Sequence, residues 1–127
     1  MATDAIVDLV QQRTGQESPE PAERLIEAVL QTLGELDLNG AQASFAAALP
    51  VPYGDLLQNP DTSRQERFDS EEFVRRVAQR TDISVEQADT WTHAGLTAII
   101  ENVPTEERNR FVVAFPEDLR SYTQWVF

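Results

Sequence analysis

Phe111-Val112-Val113-Ala114-Phe115-Pro116 repeats, with Phe, Ala and Pro at matched places, the stretch Phe45-Ala46-Ala47-Ala48-Leu49-Pro50 that lies 66 residues earlier. The same offset carries Ser84, Glu86 and Ala88 back to Ser18, Glu20 and Ala22, and Ala94, Leu96 and Glu101 back to Ala28, Leu30 and Glu35. Further upstream it grows to 67, where Gln79-Arg80-Thr81 falls on Gln12-Arg13-Thr14. Matches that keep their order along most of the chain read as two copies of one unit. At 127 residues the chain is the size of one ordinary domain, whereas a unit of about 60 residues is marginal by itself. The two copies are therefore expected to share one core, with repeat one over 4–58, a connection over 59–68 and repeat two over 69–127.

Each copy reads as three helices and a short fourth. Ile6, Val7, Leu9, Val10 and Arg13 follow a helical rhythm over 4–14, and Gly15 suits a left-handed cap. Ser18-Pro19-Glu20 then offers a cap, a proline at the first helical position and an acid for the helix dipole. Behind it Ala22, Leu25, Ile26, Val29, Leu30, Leu33 and Leu36 recur at three and four on one face. Asn39-Gly40-Ala41-Gln42 has capping-box spacing and opens an alanine-rich helix that Pro50 ends. A short helix with Asp55, Leu56 and Leu57 follows. In the second copy, Asp69 and Glu72 spell a capping box, and Phe68 is placed to staple onto Phe73. Phe73, Val74 and Val77 take the places of Ile6, Val7 and Val10. Ser84 caps the next helix, which carries Ala88, Trp91, Thr92, Gly95, Leu96, Ile99 and Asn102. There Trp91 stands for Leu25 and Gly95 for Val29, which predicts a large ring beside a gap. Thr105-Glu106-Glu107 starts the third helix, and Glu117 and Asp118 begin a last short one.

The net charge of −12 divides into −7 through residue 60 and −5 from residue 61 on, and every basic residue is arginine. Such a surface repels phosphate backbones, which argues against direct nucleic-acid binding. It fits a GC-rich genome or a salt-adapted cytoplasm, where acidic surfaces keep proteins soluble. The absence of cysteine excludes disulfides and thiol catalysis. No secretion signal or membrane-length apolar run is legible, so the expectation is a soluble cytoplasmic protein with no membrane partner.

Candidate chemistry is sparse. His93, the lone histidine, aligns with Glu27 on the expected solvent side, and Asp89 shares its face at a spacing of four; two ligands make a poor metal site. Glu20, Glu23 and Glu27 share the wet face of an amphipathic helix. Arg75, Arg76 and Arg80 look basic until Glu71 and Glu72 are paired with Arg75 and Arg76 at i,i+4, and together they read as a solvated, charge-laced face. The scattered glycines exclude a P-loop and a dinucleotide fingerprint, and no G-x-S-x-G occurs. No metal, cofactor or catalytic residue is implied. What the fold leaves over is the acidic surface and an apolar end, Trp125-Val126-Phe127, on a chain terminus that frays unless something holds it.

The series Phe73-Val74-x-x-Val77-Ala78, Ala88, Ala94-x-Leu96 and Phe115-Pro116-x-Asp118-Leu119-Arg120, together with Ala28-Val29-Leu30-x-x-Leu33 through Leu49-Pro50, resembles the prokaryotic family called domain of unknown function 2267. The resemblance implies an all-helical fold of two related halves and brings no established activity, cofactor or catalytic residue. Phe115 replaces the family's leucine before proline, and Gly95 replaces a usual valine. The expected architecture is all-α, two tandem pseudo-equivalent helical repeats packed into one domain. The leading functional expectation is a non-catalytic protein–protein interaction module that engages a protein partner through Trp125, Val126 and Phe127 or the acidic surface, with homo-oligomers compatible. Alternatives are a small-molecule binding protein or enzyme with its pocket between the repeats at Trp91 and Gly95, and an acidic mimic that sequesters a basic protein.

Overall fold

The computed structural model describes residues 2–36, 41–49, 53–57, 66–115 and 117–123, and all regular structure among them is helical apart from one isolated bridge. In chain order the helices are α1 (Ala2–Thr14), α2 (Pro19–Glu35), α3 (Ala41–Ala48), α4 (Tyr53–Leu57), α5 (Ser70–Thr81), α6 (Val85–Glu101) and α7 (Thr105–Val113), followed by a 3-10 helix (Glu117–Thr123). The protein is all-α. The expected cap at Asn39, the breaks at Pro50 and Pro116, most of the 59–68 connection and the Trp125-Val126-Phe127 end lie outside the described residues.

Local chemistry sets the helix ends. Asp69 accepts a 2.9 Å bond from the Glu72 amide, and Ser84 accepts one of 3.1 Å from Gln87, so each satisfies an amide that the helix leaves open. Phe68 and Phe73 meet as a staple at 6.4 Å between ring centroids. The second half of the expected box is absent: the Glu72 carboxylate turns to Arg75 and Arg76, and Asp118 from the 3-10 helix takes the Ser70 amide at 2.7 Å. Ser18 occupies the cap position of α2 without a side-chain cap bond, and α7 starts at Thr105, as expected, with Pro104 before it. Gly15 (φ +70°) and Asp82 (φ 56°), 67 residues apart, both take the left-handed turn after their helices. In each case the following amide bonds back into the last turn, Gln16 to Gln11 and Ile83 to Ala78.

The long helices α2 and α6 cross at the centre. Around them α1 packs on both α2 and α6, and α5 packs on both α6 and α2. At one end α3 lies against α7, α4 closes on α2 and α3, and the 3-10 helix closes on α6 and α7. Leu25, Ile26, Leu30 and Leu33 from α2 and Leu96 and Ile99 from α6 are fully buried. Phe45 of α3 stacks on Phe111 of α7 with ring centroids 3.8 Å apart and planes 11° apart, and Phe115 meets Phe111 edge-on at 4.8 Å. Phe45, Phe73 and Phe111 are the bulkiest fully buried side chains. Asn102, expected on the apolar face of α6, instead is exposed, and its amide bonds the Ala98 carbonyl at 2.7 Å.

One core position works against stability. Thr92 is fully buried and its hydroxyl finds no hydrogen-bond partner among the described residues, which costs about 1–3 kcal/mol relative to an apolar group of the same shape. Thr92→Val is expected to stabilise the fold by roughly 1 kcal/mol, read as a rise in the urea midpoint at unchanged slope. A fall in the midpoint would show that the hydroxyl has a partner in solution.

Candidate functional site

Arg75 and Arg80 are exposed, as a charge-laced face predicts, but Arg76 and Arg80 also reach across to a second helix. The three arginines lie along α5 where it packs on α2, and Glu35 at the end of α2 draws two of them across. Arg80 grips both Glu35 oxygens at 2.8 and 2.7 Å and donates to the Thr32 hydroxyl at 2.7 Å. Arg76 reaches Glu35 at 3.4 Å, Glu66 at 2.8 Å and Glu72 at 2.9 Å, and its guanidinium lies 3.9 Å over the Phe68 ring. The i,i+4 pairs Arg75–Glu71 and Arg76–Glu72 are both present, as their spacing predicts, and Arg75 also pairs with Glu72 at i,i+3. The Glu66 amide also bonds the Glu35 carbonyl at 3.0 Å, so this corner joins α2, α5 and the approach to α5.

The Arg80 hydrogen bonds hold the Glu35 carboxyl below its usual value of 4.5, against the opposing effect of its partial burial, with the Arg76 charge helping. A carboxyl whose folded value is depressed stabilises the fold above its unfolded value, and that contribution disappears as pH falls through the folded one. The stability difference between the native chain and Glu35→Gln is therefore expected to be full at pH 7 and to shrink below pH 4.5. Chemical denaturation of both proteins across pH 7 to 3 checks it; a difference that grows on acidification would reverse the assignment.

A second ion-paired corner joins α1 to α6. Arg13 donates to the Thr97 hydroxyl at 2.7 Å and pairs with Glu101 at 2.7 Å, its side chain largely buried. The Thr97 hydroxyl in turn donates to the His93 carbonyl at 2.6 Å.

The expected solvent-side histidine is covered. His93 is half-buried and its ring stacks on Tyr122 of the 3-10 helix at 4.0 Å between centroids. The Tyr122 hydroxyl donates to the Asp89 carboxylate. Burial, and then the Asp89 hydrogen bond and charge, push the Tyr122 hydroxyl well above the ordinary tyrosine value, so it remains a donor at neutral pH. Asp89 and His93 do share one face, as their spacing predicts, and that face is where the 3-10 helix docks through Tyr122. Among the described residues no three His, Asp or Glu side chains converge as a metal site. Glu20, Glu23 and Glu27 lie exposed along α2.

The gap expected between Trp91 and Gly95 is filled. A methyl group built on Gly95 would touch Leu25 Cδ2 and Cγ and Val29 Cγ2 at 3.4 Å, because the missing side chain lets α2 approach α6. Gly95 is buried and Trp91 packs half-buried at the edge of the core. The described residues instead border a groove of about 530 Å³ lined by Arg67, Phe68, Asp69, Ala114, Phe115, Glu117 and Asp118. It has apolar walls and an acidic rim, in the size range of small-ligand sites, and its residues are far apart in sequence, which is why no local motif announces it.

The family model described as uncharacterized conserved protein (DUF2267) matches residues 3–122. The chain belongs to the DUF2267 family. No curated protein matches the sequence. The match takes in both ion-paired corners and the Asp89–Tyr122 contact, so these are features of the DUF2267 portion of the chain. No helix among the described residues is long and apolar enough to cross a membrane.

Proposed function

We propose that this DUF2267 protein is a non-catalytic helical module that acts by binding another protein. The observation that carries the reading is the fate of its polar side chains. Arg13, Arg76, Arg80, Asp89, His93 and Tyr122, the groups with most chemical potential, each hold one helix to another. What remains exposed is mostly carboxylate: Glu20, Glu23 and Glu27 on α2, Glu86 on α6 and Glu106 on α7, in a chain of net charge −12. A partner suited to this surface is basic, and association steered by charge weakens with salt. Trp125, Val126 and Phe127 are the apolar contribution proposed for the same complex.

The test is capture from lysate at two salt concentrations, followed by reconstitution with the partner so identified. Glu23→Arg with Glu27→Arg is expected to weaken the complex without moving the melting temperature, and removal of residues 125–127 to weaken it at both salts. A complex insensitive to both changes, or none at all, would refute the reading.

The groove beside Phe68 and Phe115 favours a second reading, a small-ligand site. Thermal-shift screening against a metabolite panel, with Ala114→Trp as the blocked control, checks it; a shift that survives the block places the ligand elsewhere.

A further inference from the structure

Several contacts that join the first part of the described chain to the second come in matched pairs. Arg80 of α5 reaches Thr32 and Glu35 of α2, and Arg13 of α1 reaches Thr97 and Glu101 of α6. The two threonines, 65 residues apart, are one residue out of register, but Arg80 lies 67 residues after Arg13 and Glu101 lies 66 after Glu35. These are the offsets that align the two copies. The helix packing across the junction obeys the same rule, whereas the contacts of Arg76 and Glu66 with Glu35 occur once. Where α1 packs on α6, α5 packs on α2, and α2 crosses α6, its own counterpart. Phe45 stacks on its counterpart Phe111. Leu25 and Val29 press on Gly95, the counterpart of Val29.

Two bodies that meet counterpart to counterpart, with each unlike helix pairing occurring twice, are related as the subunits of a two-fold dimer, in which residue i touches j and j touches i. We infer that the junction between residues 2–57 and 66–123 is a two-fold dimer interface carried inside one chain, and that a second copy of this chain fits it by exchanging halves. In the exchanged dimer the first half of each chain packs on the second half of the other, and every contact listed above is remade between chains. The closed monomer has the advantage of linkage, an effective concentration in the millimolar range for a short connection. At ordinary concentrations the native chain is therefore a monomer, and exchange emerges when the internal pairing is weakened and a matched copy is offered.

Charge reversal supplies that condition in full-length chains. One variant carries Arg13→Glu and Glu35→Arg, both in the first half; the other carries Arg80→Glu and Glu101→Arg, both in the second. Within either variant both corners set like charges against each other. Between the two variants every corner is matched, one pair reversed and one native. Each variant alone is expected to melt several degrees below the native chain. Refolded together, they are expected to form a 1:1 complex of twice the chain mass by light scattering, melting near the chain that carries all four changes. A mixture that keeps the single-chain mass would overturn the inference, as would variants that alone melt like the native chain. If the variants are insoluble singly, co-expression with two affinity tags gives the same reading: co-purification supports exchange, and insolubility together while the four-change chain folds refutes it. Should the four-change chain not fold, the native chain refolded near millimolar concentration decides, a dimer supporting the inference and a monomer throughout refuting it.

Discussion

Phe111→Ala is expected to destabilise the protein by about 3–5 kcal/mol, lowering the melting temperature by roughly 10–20 °C. Phe111 is 1% exposed, so the change removes a full aromatic burial and leaves a cavity that α3 and α7 close only in part. It also removes two ring contacts, the stack on Phe45 at 3.8 Å and the edge contact with Phe115 at 4.8 Å. Such pairs add about 0.5–1.5 kcal/mol beyond their buried area. Phe45→Ala should come close in size, and the double variant should lose less than the two single losses together, since the stack disappears with either ring. Calorimetry on the three variants checks both statements; a Phe111→Ala chain that melts like the native one would contradict the packing of α3 on α7.

Leu25→Ala is expected to lower stability by about 2–5 kcal/mol. Leu25 is fully buried, and its Cδ2 and Cγ occupy the space that Gly95 leaves open at 3.4 Å. The site offers its own partial rescue. Gly95→Ala in the native chain sets a tight methyl contact against a helix-propensity gain of about 1 kcal/mol, so it should change little. In the Leu25→Ala chain the same methyl enters vacated space, and both terms favour it. A rescue of about 1 kcal/mol in that background, with near-neutrality in the native one, is expected in urea denaturation. Equal effects in both backgrounds would mean that the two positions do not touch.

The helices were legible because their signals are local. Asp69, Ser84 and the Phe68–Phe73 staple act on residues no more than five positions away, and the spacing of Leu25, Ile26, Val29, Leu30 and Leu33 names the buried face of α2 before any partner is known. The polar side chains were harder for the opposite reason. Arg76 has Glu72 one turn away on its own helix, which suffices to explain it as surface charge, and Arg80 reads as part of the same face; the carboxylate that draws both across, Glu35, lies 41 and 45 residues earlier. One clue was present: Arg13 and Arg80, and Glu35 and Glu101, all belong to the repeating positions, and a surface ion pair gives no reason for a charge to recur in both copies.

Other features had no signal at all. Nothing near His93 announces Tyr122, which arrives from the far end of the chain and turns an apparently wet face into a docking surface. Trp91 and Gly95 were legible as a large residue beside a small one, but a glycine facing a neighbouring helix permits either a pocket or a close approach. Leu25 and Val29 decide for the approach. Asp118, expected as an acid in a first turn, also caps α5 across the fold.

The central claim is that matching residues of the two copies face one another across the middle of the molecule. Proton NMR on a sample labelled at phenylalanine tests it most directly, since the chain has six of these rings. Strong nuclear Overhauser effects between the rings of Phe45 and Phe111 are predicted. Ring protons of Phe45 that show effects only to residues of α2, α3 and α4 would contradict the account.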